Sequence, residues 1–299
     1  MKNTKSDMYV SDIYACNAFY YYKHLEKAWA FYRDILGFVT VADYGFAKIM
    51  RVAQSSYLTL VDAESGMHTV EEPKSVTLAM VTEQVTGWYD YLIASGVPMH
   101  RKHEIGVGSP HDGFVALDPE GYFLEFERFN PHPENIILMP LLSALETTYA
   151  SISTRPKELG IQATVLWLYY RDLSSVQQFH EGLLGVELIV DQGWAKVYPV
   201  SGSGFIGFVD GEHGLHKSTE QKCVTVSFFT DNLESWFQRA VAWDGFTLLT
   251  PEITDESERV HLFVGTDPEG YFFEWDTFLM HDANIDLSLL KKEPQRSQR

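Results

Sequence analysis

Apolar and polar positions follow two rhythms along this chain, and together they predict short strands separated by a few amphipathic helices. Residues 17–23 form an aromatic, strand-like run, and at 25–36 apolar residues recur at helical spacing up to Gly37. Short β-rich segments bounded by glycine and polar residues follow, as is typical of strands. They cover 38–43, 46–52 and 56–61. This order predicts a βαβββ unit.

The same order of elements recurs three more times. Strand and helix patterns at 76–126, 163–209 and 224–275 predict three further βαβββ units. The sequence itself also repeats, because residues 118–126 read DPEGYFLEF and residues 267–275 read DPEGYFFEW. A self-match about half a chain length apart indicates two copies of one domain and not a solenoid of short units.

We therefore predict an α+β fold of two tandem domains, each of paired βαβββ units that form an open concave mixed sheet. The first domain is expected at 12–130 and the second at 161–280. The segment 131–160 between them is too apolar for a free linker and predicts a short packed helix. Residues 281–299 are expected to form a tail. Each domain is long enough to bury its own core.

Charge and cysteine content exclude several classes of partner. The formal net charge is −18, and a field of that sign repels nucleic-acid phosphates and anionic membrane surfaces. The two cysteines, Cys16 and Cys223, make neither a disulfide framework nor a metal knuckle. The polar start, 1–11, lacks the apolar run of a signal peptide, and no stretch is long enough for a membrane span. We expect a cytoplasmic protein, either a monomeric pseudo-dimer or a homodimer.

Two motifs carry a resemblance to a known family. The predicted helix reads LEKAWAFYRDILGF at 25–38, and the pattern Asp-Pro-x-Gly-x-x-x-Glu closes each repeat. In tandem βαβββ units these motifs resemble the vicinal oxygen chelate superfamily, which includes glyoxalase, bleomycin- and fosfomycin-resistance proteins and extradiol dioxygenases. The resemblance covers 17–129 and 163–278. It implies the fold predicted above but no single reaction, because one fold hosts many chemistries.

The glutamate of the closing motif is a candidate functional residue in both repeats. Asp-Pro-Glu-Gly by itself is a type I turn between two strands. Strand alternation then places Glu125 on one face with Phe123 and Glu127, and Glu274 on the matching face of its own repeat. These faces are expected to line the concave side of each sheet. The resemblance implies that a glutamate at this position is a metal ligand.

The other ligands that the resemblance implies are missing. A family histidine on the first strand is replaced by Asn17 and by Val165, and the second ligand position holds Thr77 and either Thr225 or Val226. One carboxylate out of three ligands does not make a tight transition-metal site. We therefore expect no cofactor and a degenerate metal site. A divalent metal held through Glu125 or Glu274 is the alternative.

Aromatic residues share the predicted concave faces. Asn17, Phe19 and Tyr21 lie on one face of the first strand, and Trp167 and Tyr169 take the matching positions in the second repeat. Together with Thr77 they are candidate ligand-binding residues, because aromatic cavities with a few polar groups are usual small-molecule sites. The alternative is that these rings only fill the core.

His261 is the remaining catalytic candidate beside the two glutamates. It lies on the seventh strand of its repeat, where it could act as an acid or a base near neutral pH. The alternative is a surface histidine. Because Trp167 offers the larger ring and His261 a titratable group, the second repeat is the favoured site.

The sequence favours a protein that binds a small aromatic molecule, flat and neutral or cationic. Three alternatives stand beside it: an extradiol-dioxygenase-like enzyme, a glyoxalase-like lyase or isomerase, and an interaction protein with no ligand. The dioxygenase alternative requires a two-histidine, one-carboxylate iron site. Both histidines are absent from both repeats, which argues against it.

Overall fold

The computed structural model of the chain describes residues 12–104, 108–151, 153–284 and 286–287. The polar start at 1–11 and most of the predicted tail lie outside the described residues. The first two βαβββ units are formed as the sequence predicts. The first consists of β1 Ile13–Tyr22, α1 Leu25–Ala30 with a π-helical turn Phe31–Ile35, β2 Val39–Asp43, β3 Ala47–Ala53 and β4 Ser56–Asp62. The second consists of β5 Val76–Val81, α2 Val85–Ala94, β6 Met99–Glu104, β7 His111–Leu117 and β8 Phe123–Phe129.

The segment between the repeats contains the short helix that its apolar residues predict. It is made of a 3-10 turn Pro133–Asn135, α3 Leu138–Ser143 and a two-stranded ribbon of β9 Thr148–Tyr149 and β10 Gly160–Ile161. Leu138 and Leu142 of α3 are buried. The segment is therefore packed against the rest of the molecule.

The second repeat contains the other two units. The third consists of β11 Ala163–Tyr170, α4 Leu173–Leu184, β12 Val190–Asp191, β13 Ala195–Pro199 and β14 Gly204–Asp210. The fourth consists of β15 Val224–Thr230, α5 Leu233–Ala242, β16 Thr247–Leu248, β17 Thr254–Glu256, β18 Val260–Thr266 and β19 Phe272–Phe278, before a 3-10 turn Asp282–Asn284.

These units form two large open mixed sheets, which confirms the predicted fold class. One sheet has the strand order β16-β18-β19-β15-β1-β4-β3-β2, with β17 paired to β18. The other has the order β12-β13-β14-β11-β5-β8-β7-β6. Each sheet therefore joins one unit from each repeat, and one chain completes both concave faces.

The pairing of units differs from the expectation that each sheet would form within one repeat. The first unit pairs with the fourth through antiparallel β1 and β15, and the second pairs with the third through antiparallel β5 and β11. A sequence repeat shows that two segments are alike, but equivalent strand edges can pair within a repeat or across repeats. The intervals 12–130 and 161–280 are thus sequence repeats, and each sheet draws on both.

The repeated Asp-Pro-Glu-Gly turn ties the two units of one repeat together across the two sheets. Asp118 Oδ1 accepts from the backbone amides of Glu120 and Tyr122 at 2.9 and 2.8 Å. Its Oδ2 accepts from the hydroxyls of Tyr22 and Tyr32 at 2.7 and 3.0 Å. Since Tyr22 lies on β1 and the turn precedes β8, this buried carboxyl links opposite sheets.

The second turn repeats the arrangement with one substitution. Asp267 Oδ2 accepts from the Tyr170 hydroxyl at 2.8 Å and lies 3.3 Å from Nε2 of the buried His180, which replaces the helix tyrosine. The turns thus explain why the motif is repeated. They hold each repeat together while its strands pair with the other repeat.

Candidate functional site

Each sheet has a concave face that contains a cavity. The cavity around Glu274 has a volume of about 370 Å³, and the cavity around Glu125 has a volume of about 150 Å³. We call them the Glu274 cup and the Glu125 cup. Because the units pair across the repeats, each cup takes its carboxyl groups from one repeat and its first-strand aromatic residues from the other.

The Glu274 cup combines aromatic residues of the first repeat with carboxyl groups of the second. Phe19 and Tyr21 of β1 line it together with Glu274 and Asp276 of β19. Alternation along β19 gives both carboxyl groups to the same face. The rim carries further aromatic and apolar residues and one arginine. They are Tyr44, Phe46, Met67 and Arg259.

Glu274 and Asp276 form a buried carboxyl pair. Their exposures are 5% and 2%, and the Ser227 hydroxyl donates to Asp276 Oδ2. Burial raises the pKa of Asp276 to about 6, against the stabilising hydrogen bonds from Ser227 and Glu274. Burial and the neighbouring Asp276 raise the pKa of Glu274 well above its usual range. The pair therefore retains one proton and about one negative charge near neutral pH.

No basic side chain forms an ion pair with these two carboxyl groups among the described residues. Arg259 lines the same cavity, but its guanidinium lies over the Tyr44 ring, with the central carbon 5.2 Å from the ring centre. A buried charge without a partner is unfavourable. The cup thus offers a site for a cation or for a hydrogen-bond donor.

The strand pairing around Glu274 corrects the expected register of the second ligand position. Asn17 pairs with Ser227, and Ser227 pairs with Glu274, so these three residues lie level across the sheet. Thr225 lies two residues away, where its hydroxyl is 2.8 Å from that of Tyr21. The sequence could not give this register, because the start of a strand does not fix its alignment with its neighbour.

The residues level with Glu274 do not fit a transition-metal site of the family. Asn17 Oδ1 already accepts from Thr59 at 3.1 Å, and its Nδ2, which is buried without a partner, cannot ligate a metal. Ser227 is engaged with Asp276. Among the described residues no group of three or more His, Cys, Asp or Glu side chains could hold a metal ion. The imidazole donors that zinc and iron sites use are absent from this cup.

The Glu125 cup fits a metal even less well. The positions level with Glu125 are Ala79 and Val165, which have no donor atoms. The carboxylate of Glu125 instead accepts from Arg101, with Oε1 2.7 Å from Nη2. Burial raises the pKa of Glu125, and Arg101 opposes the rise. An internal arginine thus compensates the charge that a metal would otherwise neutralise.

Trp167 and Tyr169 lie in the Glu125 cup and not beside Glu274. The Trp167 ring covers Gly207, where a Cβ atom would lie 2.1 Å from the ring, so only glycine permits this position. The Tyr169 hydroxyl is 2.9 Å from that of Thr77, which mirrors the contact of Tyr21 with Thr225. Thr77 is thus engaged with Tyr169 and does not itself line the cavity.

His261 lies outside both cups. Val260 and Leu262, its neighbours on β18, line the Glu274 cup, so alternation directs His261 to the other face. Its side chain is 43% exposed, and its Nε2 is 3.2 Å from Asp255 Oδ2. This placement matches the surface alternative. His111, which the sequence did not single out, lines the Glu125 cup instead.

Sequence reasoning also missed several residues that define the cups. Alternation placed Asp276 and Glu127 on the strand faces predicted to be concave, but they were not singled out as site residues. Arg101 and Ser227 come from other strands. No signal in the sequence links either of them to its carboxyl partner.

Comparison with known proteins gives a family match for part of the chain. Residues 15–126 match the model of the Glyoxalase/Bleomycin resistance protein/Dioxygenase superfamily. The match covers the first repeat, which is therefore similar to the domain of this superfamily. No curated protein sequence matches this chain.

Solved structures share this fold over most of both chains. A putative dioxygenase from Bacillus subtilis is 15% identical with a TM-score of 0.66, over 94% of this chain and 90% of that one. Glyoxalase I from Zea mays is 14% identical with a TM-score of 0.59, over 93% of this chain and 95% of that one. At these identities the likeness shows the fold alone. Among the described residues no helix is long and apolar enough to cross a membrane.

Proposed function

We propose that this protein binds a small, flat organic cation in the Glu274 cup without a transition metal. The observation that carries the proposal is the buried Glu274–Asp276 pair, which lies in an aromatic cavity and has no basic partner among the described residues. The volume of about 370 Å³ lies in the range of small-molecule sites. Neutral molecules that donate hydrogen bonds are the second class that this cup would accept.

The physical reason for cation selectivity is local. An ammonium or amidinium group would compensate the negative charge that the carboxyl pair retains, and it would donate the hydrogen bonds that a carboxylate accepts. Phe19, Tyr21 and Tyr44 present rings to the same cavity. Such rings attract cations and stack on flat molecules. The net charge of −18 raises the local concentration of cations.

In this proposal the residues that stack on the ligand differ from those that the sequence favoured. The carboxyl groups are those of the second repeat, as expected, but Phe19 and Tyr21 replace Trp167 as the stacking residues. The metal-dependent alternatives, a dioxygenase-like or glyoxalase-like enzyme, need ligands that the residues level with Glu274 do not supply. They remain as outcomes of the test below.

The test is a binding screen of matched aromatic compounds. Benzylamine, benzyl alcohol and benzoate would be added to the purified chain and binding measured by calorimetry and ligand-observed NMR. We expect benzylamine to bind best at this site, and both Glu274→Gln and Phe19→Ala to weaken it. Glu125→Gln is the matched control and should leave it unchanged. Benzylamine binding that is indifferent to Glu274→Gln would refute the proposal.

Metal analysis of the same preparation tests the enzyme alternatives. We expect no iron, zinc, nickel or manganese at stoichiometric amounts. One transition metal per chain, lost in the Glu274→Ala variant, would replace the proposal with a metal-dependent activity.

A further inference from the structure

We propose that the Glu125 cup is a second binding site with the opposite selectivity, and that it takes a small aromatic carboxylate. This inference concerns a different cavity from the proposed function and does not depend on it. It rests on hydrogen-bond donors that meet in the Glu125 cup and on a volume that fits one ring.

The donors come from two residues that cannot accept hydrogen bonds. Trp167 is 8% exposed and lines the cavity, and its buried Nε1 makes no hydrogen bond of normal geometry, only a weaker contact with the Glu127 carboxyl. An indole N–H only donates. Arg101 lines the same cavity and uses Nη2 for Glu125, so its other N–H groups are available to a ligand. A carboxylate supplies two oxygen acceptors in the plane of one group.

Glu127 is the group that would oppose an anion. It is 2% exposed, and its Oε1 is buried without a hydrogen-bond partner. Burial raises its pKa well above the usual range, Glu125 adds to the rise, and Arg101 and the indole of Trp167 oppose it. Because Glu127 is buried beside Glu125 and forms no ion pair among the described residues, its protonated form is favoured. In that form it adds a third donor and no negative charge.

Charge balance distinguishes this cup from the Glu274 cup. Arg101 compensates Glu125, so with Glu127 protonated the two carboxyl groups and the guanidinium carry no net charge. The other titratable residues lining the cavity are His111, His213 and Tyr169, and burial raises the pKa of the Tyr169 hydroxyl, which is therefore neutral. His213 contacts Asp210, and burial and then Arg101 lower the pKa of His111. An added carboxylate thus meets donors and no unpaired negative charge.

Shape limits the ligand to one small ring. A cavity of about 150 Å³ can hold a single six-membered aromatic ring. Trp167 and Trp194 both line it, and aromatic faces favour a flat guest. Benzoate is therefore a suitable probe, with benzamide and benzylamine as its neutral and cationic counterparts.

The experiment compares two tryptophan variants. Trp167→Phe keeps a ring but removes the buried donor, and we expect it to weaken benzoate binding roughly tenfold. Trp194→Phe makes the same chemical change in the same cavity, at a residue that is 39% exposed, and should reduce the affinity several-fold less than Trp167→Phe does. In the wild type, benzoate should bind more tightly here than benzamide or benzylamine. Equal effects of the two variants, or equal affinities for benzoate and benzamide, would overturn the proposal.

A spectroscopic readout separates loss of binding from loss of folding. The ¹H–¹⁵N signal of the Trp167 indole, assigned by its absence in Trp167→Phe, should move on adding benzoate to the wild type. A benzoate titration that leaves this signal in place would also overturn the proposal. Arg101→Lys keeps the positive charge and removes the fork of donors, and we expect weaker benzoate binding in a protein that unfolds cooperatively.

Variants of one cup distinguish its ligand binding from that of the other cup. Glu274→Gln should weaken benzylamine and leave benzoate binding unchanged. If benzylamine alone fails to bind, the proposed function is refuted and the benzoate site is not. If Glu274→Gln abolishes benzoate binding, the assignment of benzoate to the Glu125 cup is refuted.

Discussion

The Glu274 cup and the Glu125 cup occupy equivalent places in the two sheets, yet a few substitutions give them different chemistry. Where the Glu125 cup has Arg101, the equivalent residue of the Glu274 cup is Thr250, which bonds to the backbone of Val264. One carboxyl pair therefore has an ion pair with a guanidinium, whereas the other forms none among the described residues, because Arg259 lies over the Tyr44 ring instead. The comparison teaches that the fold fixes where the carboxyl groups lie, while residues on neighbouring strands decide their charge.

A second pair of positions controls the volume. Thr59 of the Glu274 cup corresponds to Gly207 of the Glu125 cup, and Phe19 corresponds to Trp167. Gly207 lets the larger ring lie against β14, so the Glu125 cup is smaller. Thr59 instead donates to Asn17 and lines the larger cavity. The predictions below transfer or remove these differences.

The largest effect is expected from giving the Glu125 cup the threonine of the Glu274 cup. In Gly207→Thr the new Cβ atom would lie 2.1 Å from the Trp167 ring, so the ring must leave its position. We expect a loss of about 3 kcal/mol in the free energy of unfolding, because overpacking forces side chains and backbone to shift. Urea denaturation measures it. Adding Trp167→Ala to Gly207→Thr should restore part of the lost stability. If it restores none, the threonine does not clash with the Trp167 ring.

The carboxyl pair of the Glu274 cup should lower stability as the pH rises. The folded chain holds the Asp276 proton up to about pH 6, whereas an unfolded aspartic acid releases it near pH 4. Between about pH 4 and 6 the unfolded state therefore becomes more stable relative to the folded state. The resulting loss in the free energy of unfolding is complete above about pH 6. Asp276→Asn should remove about 2 kcal/mol of this loss at pH 7 and little at pH 4.

Denaturation series at several pH values test this dependence. The control is Asp90→Asn, which removes a carboxylate from the exposed surface of α2. If the Asp276→Asn and Asp90→Asn variants show the same pH dependence, Asp276 does not retain a proton in the folded chain.

Removing the internal guanidinium should destabilise the Glu125 cup. In Arg101→Met the buried Glu125 loses its partner, and we expect a cost of about 1–2 kcal/mol at pH 7, since the arginine is 40% exposed and partly screened. The double variant Arg101→Met, Glu125→Gln should be more stable than the single one. A double variant no more stable than Arg101→Met alone would show that the ion pair is not the cause.

The smallest effect concerns affinity and tests the comparison in the opposite direction. Thr250→Arg gives the Glu274 cup the residue of the Glu125 cup and compensates the carboxyl pair. We expect benzylamine affinity to fall roughly tenfold, since the ligand cation then competes with an internal one. Thr250→Gln, of similar length but uncharged, is the control for bulk. Equal losses in both variants would attribute the effect to volume.

The sequence predicted the fold class because strand parity, helix spacing and the repeated turn all agree on four βαβββ units. It could not predict that the units pair across the repeats, because β1 and β11 offer equivalent edges to β15 and β5. The same ambiguity placed Trp167 with Glu274 in the sequence analysis, whereas the structure places it with Glu125. Alternation along β19 predicted which face of the strand carries Glu274. The pairing of Ser227 with Glu274 depends on the register between β15 and β19, which alternation does not determine.

His261 shows a further limit of sequence reasoning. Its strand was recognised, but its side of the strand depends on which neighbours line the cavity, and these are Val260 and Leu262. Arg101 was missed because the compensation of Glu125 requires two strands that are separated by β7 in the sheet order. Local sequence patterns predict secondary-structure elements and the faces of strands. They do not predict contacts between elements that are distant in the sequence.

The most direct test of the central claim is calorimetry of benzylamine binding at pH 6 in two buffers with different ionisation enthalpies. A cation that binds the Glu274–Asp276 pair favours its ionised form, so we predict one site per chain and net release of protons on binding. Both signals should be lost in Glu274→Gln and kept in Glu125→Gln. Binding without proton release, or binding lost only in Glu125→Gln, would contradict the account.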